Sequence, residues 1–460
     1  MMDQAPHPTL LIPGPIEIDN DVTRSLAHYA ESHVGPGFCK IFGETLTMLR
    51  QLFQTTSPSS QPFVVAGSGT LGWDMVAANV LEPDDEVLVL HTGYFADSFA
   101  DCLDLYGMKP TQLKAPIGER PQLPAIEEAL KEKSYKALTV THVDTSTGVL
   151  SHLASLSSLL ARVSPDTLFI VDAVCSVGSE ELHFDNMGID VCLTASQKGI
   201  GCAPGLSILM CSGRAMNRFH SRQSRHTGSY YASFKNWLPI MQNYEAKKPS
   251  YFATPPTQLI HALHTALTQL LYPGRYSSQR DQQQQQQQQR RRRQEEEEEE
   301  TLLDADQNAV SNPTSALAHR INQHHLVSTR IKSFISNDLQ LGQLASKPAN
   351  QANGMTAIYL PDGITPPDIL PRLNQKHGVV FAGGLHRDIA SRYIRFGHMG
   401  VSVMDDHGRE GGGWSEGEGE GEGDRRKRRS GNGRGSDIDK ALKALKEVLE
   451  EFKEEKKRAK

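Results

Sequence analysis

Leu168-Phe169-Ile170-Val171-Asp172-Ala173-Val174-Cys175-Ser176 is a short apolar run that ends on a carboxylate and continues into small residues. Four consecutive apolar side chains, two of them β-branched, read as a strand buried on both faces, because no polar residue alternates with them. Runs of the same kind occur at Phe63-Val64-Val65-Ala66, Glu86-Val87-Leu88-Val89-Leu90, Ala137-Leu138-Thr139-Val140-Thr141 and Leu206-Ser207-Ile208-Leu209-Met210. Helix-length stretches such as 123–133 and 153–162 lie between them. This alternation predicts an α/β fold on a doubly wound sheet of mostly parallel, fully buried strands.

The pattern breaks at 277–300, where a Gln run (282–289), an Arg run (290–293) and a Glu run (295–300) follow one another. Such a segment buries too little apolar surface to offset its ordering entropy and reads as a solvated insertion. A second insertion at about 405–435 repeats Gly-Glu and then carries Arg425-Arg426-Lys427-Arg428-Arg429. That basic cluster reads as a solvated loop, with a docking or nuclear-targeting signal as the alternative. Beyond it, Ser436 and Asp439 have capping-box spacing, and Leu442, Leu445, Leu449 and Phe452 share one helical face. Strand candidates at 355–360 and 393–396 complete the pattern. The expected organisation is an N-terminal arm (1–22), a large domain (23–276), the first insertion (277–300) and a smaller C-terminal α/β domain (301–460) containing the second insertion.

With 460 residues, core size is not limiting, and a net charge of −6 supplies no basic face for nucleic acid. A small-molecule substrate is the plainer expectation. The six cysteines lack C-x-x-C spacing, so neither a zinc site nor a redox pair is expected, and no metal is assigned. The start, MMDQAPHPTLLIPGP, shows no basic stretch followed by an apolar run, and no segment has bilayer-spanning length. The expectation is an intracellular protein of cytoplasm or peroxisome, although the terminal Arg458-Ala459-Lys460 is not the Ser-Lys-Leu peroxisomal tripeptide.

Chemistry concentrates in three places. Lys198, in Thr194-Ala195-Ser196-Gln197-Lys198-Gly199, sits among small residues shortly before an apolar strand. An amine there forms an imine with an aldehyde once burial removes its proton, although a lone lysine is more often a solvated surface group. Asp172 stands at the C-terminal end of a buried strand, where open α/β sheets bind ligands and where a carboxylate can keep a pyridine nitrogen protonated. The bland reading of Asp172 is a turn-forming or helix-capping residue. Gly67-Ser68-Gly69-Thr70-Leu71-Gly72 lies between a strand and a helical pattern at 73–81, so its N–H groups and hydroxyls suit a phosphate. It also matches G-x-G-x-x-G, which fits a dinucleotide fold or a plain tight turn equally well.

Gly67-Ser68-Gly69-Thr70, Thr145-Ser146-Thr147-Gly148, Val171-Asp172-Ala173, Ser196-Gln197-Lys198 and Tyr393-Ile394-Arg395-Phe396-Gly397, in that order, resemble the class V aminotransferases. Within that family the likeness is to the alanine-glyoxylate and serine-pyruvate members, and it covers nearly all of the chain outside the two insertions. The resemblance implies the pyridoxal 5'-phosphate (PLP) fold type I, with Lys198 as the Schiff-base lysine and proton shuttle and Asp172 paired with the pyridinium. It implies Thr145 near the ring hydroxyl, and Ser68, Gly69, Thr70 and Gln197 on the phosphate. Tyr251 and Thr254 match residues that reach the phosphate from the partner subunit, which implies a homodimer. Arg395 matches the arginine that binds the substrate carboxylate; on pattern alone it reads equally as a structural ion-pair partner. The family often stacks Trp on the ring after an Asn-Gly pair, whereas this chain has Thr92-Gly93-Tyr94-Phe95. Phe95 is expected to take that place, with Tyr94 as the alternative. Some glyoxylate-using members carry His where this chain has Thr70.

The expected reaction is transamination between a small amino acid, alanine or serine, and glyoxylate or pyruvate, yielding glycine or alanine. Three rivals stand beside it. A nicotinamide-dependent oxidoreductase would use the turn 67–72 but leaves Lys198 without a role. A cysteine desulfurase needs a late-chain nucleophilic thiol, and no cysteine follows Cys211. A non-catalytic scaffold would use the insertions as interaction arms.

Overall fold

The computed structural model describes residues 4–223, 228–273, 313–404 and 436–458. The insertions expected at 277–300 and 405–435 lie outside the described residues. Strands β1 (Thr9–Leu10), β2 (Gln61–Ala66), β3 (Glu86–His91), β4 (Lys109–Lys114), β5 (Ala137–Thr141), β6 (Val143–Asp144) and β7 (Val149–Leu150) come first. They are followed by β8 (Leu168–Asp172), β9 (Val191–Ala195), β10 (Leu206–Cys211), β11 (Met355–Tyr359), β12 (Val379–Val380), β13 (Ala382–Gly383) and β14 (Tyr393–Gly397). Seven of these form one sheet in the order β2-β10-β9-β8-β5-β3-β4.

Each apolar run read from the sequence is a strand of that sheet, and β5, β8, β9 and β10 are buried along their whole length. One expectation is corrected. The run at 206–210 was expected to be parallel, but β10 is antiparallel to both β2 and β9. The connection 196–205 contains no helix, and a parallel crossover takes about a dozen residues or more, so the chain can only turn back. Two strands of this sheet escaped the pattern. β4 carries Lys109, Thr111, Gln112 and Lys114 on an exposed sheet edge, where charge discourages pairing with another chain. β9 runs into the turn holding Lys198 with no Gly or Pro to mark its end.

Helices cover the sheet. In Pro36–Phe53, Gly35 caps the start, Pro36 fills the first turn, and Gln54 closes the end in the left-handed region. Phe38, Phe42, Leu46, Leu49 and Phe53 recur at helical spacing and are fully buried, each worth about 1.5–3 kcal/mol relative to exposure. A second core gathers Ile331, Ile335, Ile358, Ile369, Ile394, Phe396, Leu442, Leu445 and Leu449 around the antiparallel sheet β11-β14-β13. The closing helix Ser436–Arg458 turns the predicted face inward, with Phe452 under the Arg372 guanidinium. The side chain of Ser436 lies outside the described residues, and Asp439 pairs with Arg330.

The first residues tie the two cores together. β1 pairs in parallel with β12, and Leu11 is part of the second core. The Gly397 N–H donates to the Leu11 carbonyl at 2.8 Å, and the Ile16 N–H donates to the Gln197 carbonyl at 3.1 Å. Residues 11–16 thus pass from the end of β14 to the turn that holds Lys198. Among the described residues no helix is long and apolar enough to cross a membrane.

Candidate functional site

β2, β3, β5, β8 and β9 share one direction, since β2 and β9 both oppose β10. Their carboxyl ends therefore lie at one edge of the sheet, where ligands of open α/β folds bind. From that edge emerge the turn 67–72 after β2, Thr92 to Phe95 after β3, Thr145 after β6, Asp172 at the end of β8, and Lys198 after β9.

Asp172 is 3% exposed. One carboxylate oxygen accepts the Trp73 indole N–H at 2.8 Å, and the other accepts the Val174 N–H at 3.0 Å. Burial, opposed by these two hydrogen bonds, raises its pKa to about 6; the Asp144 charge adds to the rise and the Lys198 ammonium opposes it. The Lys198 amine donates to the Pro13 carbonyl at 2.6 Å. Burial lowers its pKa, with Arg395 acting in the same direction and Cys175 and Asp172 against it. A carboxylate inclined to keep a proton and an amine inclined to lose one face the same space.

The turn after β2 closes onto these groups. The helix Gly69–Asn79 starts inside the glycine motif, with Ser68 as a cap residue whose side chain makes no capping bond. A Cβ on Gly69 would come within 2.9 Å of Val174 and 3.5 Å of Ala195, so only glycine lets the turn pack against the ends of β8 and β9. The Ser68 and Thr70 hydroxyls are 2.6 Å apart and exposed, and the buried Oε1 of Gln197 has no hydrogen-bond partner. A free helix N-terminus, two hydroxyls and an unsatisfied amide oxygen, beside an amine and a carboxylate, fit a phosphorylated pyridine aldehyde.

Thr145 is buried, and its carbonyl accepts from Arg395 at 3.3 Å; a second Arg395 N–H donates to the Gly383 carbonyl at 2.7 Å. Among the described residues no carboxylate pairs with Arg395, so the ion-pair reading finds no partner here. Phe95 is half-buried, its ring edge-on to Trp73 at 6.5 Å, while Tyr94 lies beneath the Arg387 guanidinium at 5.8 Å. Tyr251 and Thr254 are exposed, and the Tyr251 ring meets only His33 among the described ring contacts. Among the described residues, neither makes a hydrogen bond or ring contact with Lys198 or Asp172 within this chain.

Several contributors were missed by sequence reading. Trp73 falls in a helical pattern and Pro13 in the opening stretch, and neither carries a sequence signal of its role. Asp144 is fully buried and accepts from the Ser146 N–H at 2.9 Å, from the Ser146 hydroxyl at 2.6 Å and from Thr92 at 3.4 Å. It thereby joins the turns after β3 and β6. Its signal was a carboxylate adjoining the Thr145-Ser146-Thr147-Gly148 motif. The Cys175 thiol is pushed up to about 12 by burial, which keeps it neutral and poorly nucleophilic.

Size does not mark this site. A crevice of about 950 Å³, lined by Ser57, Asp185, Asp190, Ser212 and Arg214, lies at the amino edge of the sheet, opposite the groups just described.

A family model described as Aminotransferase class-V matches residues 21–386. The chain is 43% identical over 404 residues to alanine–glyoxylate aminotransferase 1 of Saccharomyces cerevisiae, covering 86% of this chain and 93% of that one. It is 25% identical over 404 residues to a serine–glyoxylate aminotransferase of Hyphomicrobium methylovorum, covering 87% and 86%. Its fold is similar to the crystal structure of an alanine–glyoxylate aminotransferase from Nostoc sp., with a TM-score of 0.74, 24% identity and 97% and 96% of the two chains covered.

Proposed function

Because the chain belongs to the class-V aminotransferase family and is an aminotransferase, we propose that it binds pyridoxal phosphate through Lys198 and exchanges the amino group of alanine or serine with glyoxylate or pyruvate. The observation that carries this reading is the pairing at the sheet's carboxyl edge. A buried carboxylate at the end of β8, Asp172, and a largely buried amine just after the neighbouring β9, Lys198, stand beside a turn suited to phosphate.

When bound, pyridoxal phosphate supplies a conjugated ring that takes up the electron pair left as the substrate's α-proton departs. The residues divide the remaining work. Asp172, oriented by Trp73, would hold the proton on the ring nitrogen. Ser68, Gly69, Thr70 and Gln197 would grip the phosphate, with Tyr251 and Thr254 contributed by the partner subunit of a homodimer. Phe95 would lie against the ring, and Thr145 beside its hydroxyl. Arg395 would fix the substrate carboxylate, since its planar fork suits two-point recognition. The Lys198 amine, whose pKa is lowered by burial, would accept the substrate's α-proton and hand it back as the amino group is transferred. The division into an arm (1–22), a large domain (23–276) and a small domain (301–460) belongs to the same proposal, the substrate being held between the two larger parts.

Adding pyridoxal phosphate to the purified protein tests the assignment. A visible absorption band should form, disappear on borohydride reduction, and leave the label on Lys198. Turnover with alanine or serine against glyoxylate and pyruvate should be absent from Lys198→Ala. Label on another residue, or near-normal turnover by that variant, would overturn the role given to Lys198.

A further inference from the structure

Arg320 lies on the helix Pro313–Asn337, outside every motif read from the sequence. Its Nε donates to the Gly178 carbonyl at 3.1 Å, and its Nη2 donates to the Gly199 carbonyl at 2.8 Å. Gly199 adjoins Lys198, and Gly178 belongs to the turns that follow Asp172. One guanidinium therefore joins the two loops on which the site depends.

Those loops touch backbone to backbone. Gly178 adopts φ +84°, and a Cβ there would come within 2.9 Å of the Gly199 carbonyl oxygen. A Cβ on Gly199 would come within 2.3 Å of the Val177 carbonyl oxygen. The close approach turns both carbonyls toward the helix, where an unpaired acceptor would be costly. Arg320 satisfies them, and among the described residues no carboxylate pairs with it. Burial lowers its pKa to about 10. A half-buried charge with no acid partner carries a desolvation cost, and here its work is to hold two peptide groups. The next turn of the helix extends the brace. His324 Nδ1 meets the Arg320 carbonyl at 2.8 Å, and its Nε2 accepts the Gly400 N–H at 3.2 Å, just beyond the strand of Arg395.

We propose that Arg320 is a positioning residue for Lys198, clamping the Gly178 and Gly199 carbonyls so that the amine is held at a fixed height against Asp172. The proposal rests on the reading of Lys198 as the reactive amine. Lysine at 320 would offer a point charge able to satisfy one carbonyl well, whereas arginine's fork serves both.

The test uses full-length Arg320→Gln and Arg320→Lys, each confirmed as folded by its thermal transition. In the cofactor-free protein, the pH dependence of reductive methylation at Lys198, read by mass spectrometry, reports that amine directly. Loosening the loop should admit water, so the Lys198 titration should climb toward that of an ordinary lysine in Arg320→Gln and by less in Arg320→Lys. In the loaded enzyme, kcat should fall by about tenfold or more while KM for the amino donor changes little, because misplacing a reacting group chiefly affects the chemical step. A folded Arg320→Gln with unchanged methylation profile and kcat would overturn the clamp. So would a loss of activity that tracks only the loss of folded protein; if Arg320→Gln does not fold, Arg320→Lys decides by the same two readouts. Failure of the Lys198 reading itself would show separately, as borohydride label elsewhere in the wild-type protein.

Discussion

The amine of Lys198 donates to the carbonyl of Pro13 at 2.6 Å, although 185 residues separate the two in sequence. The contact places the start of the chain inside the candidate site. It also explains Gly14, which adopts φ +135° and lies so close to the lysine that a Cβ would come within 2.2 Å of its nitrogen and 2.4 Å of Cδ. The arm is thus a wall against which the lysine side chain lies.

Gly14→Ala should therefore damage catalysis without unfolding the protein. The new methyl group must move the lysine, and a displacement of about 1 Å at a reacting group costs on the order of 100-fold in rate. A steady-state assay, with a thermal melt as the folding control, checks this. Wild-type kcat in the alanine variant would show that the arm does not restrain Lys198.

Arg395→Lys should raise KM for both the amino acid and the oxo acid. Replacing a two-point grip on a carboxylate by a point charge forfeits about 2 kcal/mol, roughly 30-fold in binding. The substrate-free amine should still react with pyridoxal phosphate, so the absorption band is expected to persist. Loss of the band together with binding would instead assign Arg395 to holding the Thr145 and Gly383 carbonyls.

The strand carrying Asp172 was legible because burial on both faces writes itself as an uninterrupted apolar run, whereas β9, which leads to Lys198, was not. The closing helix was legible because Leu442, Leu445 and Leu449 repeat at helical spacing. Contacts that orient the site were not. Trp73 reaches Asp172 across 99 residues, and no local period encodes which indole will meet which carboxylate. The reversed direction of β10 was legible in principle, since the connection 196–205 is too short for a crossover, but direction is set by connection length and not by the strand's own residues.

Trp73→Phe isolates the hydrogen bond to Asp172. The aromatic body that stacks on Phe99 at 5.4 Å remains, while the indole N–H that lowers the Asp172 pKa is removed. The carboxylate should then ionise at higher pH, moving the acidic limb of kcat/KM upward by about one unit, the equivalent of one hydrogen bond to a charged group. A pH–rate profile decides it, and an unmoved acidic limb would mean that the indole does not tune this carboxylate.

Asp172→Asn should flatten the pH dependence of stability in the cofactor-free protein. Burial raises the folded pKa from 3.8 to about 6, so the folded state binds the proton more tightly than the unfolded chain. The resulting stabilisation is complete below pH 3.8 and is lost as pH rises through about 6, a change of roughly 3 kcal/mol. Asparagine cannot ionise, so urea midpoints measured from pH 4.5 to 7.5 should fall less steeply in the variant, while activity is lost. Parallel wild-type and variant curves would place the carboxylate in water.

Tyr251 and Thr254 both lie exposed on the single chain. Tyr251 is 65% exposed, and a tyrosine that served this chain's own phosphate turn would be expected to fold against it. If both residues instead serve the site of a second copy, two inactive variants should complement each other. Lys198→Ala keeps Tyr251 and Thr254; the double variant Tyr251→Ala with Thr254→Ala keeps Lys198. Unfolded together and refolded, they form mixed dimers in which one site combines the intact lysine of one chain with the intact tyrosine and threonine of the other. Random pairing would restore about a quarter of wild-type activity, because about half of the dimers are mixed and each has one whole site. Activity no greater than the sum of the separately refolded variants would place Tyr251, Thr254 and Lys198 at the service of the same chain.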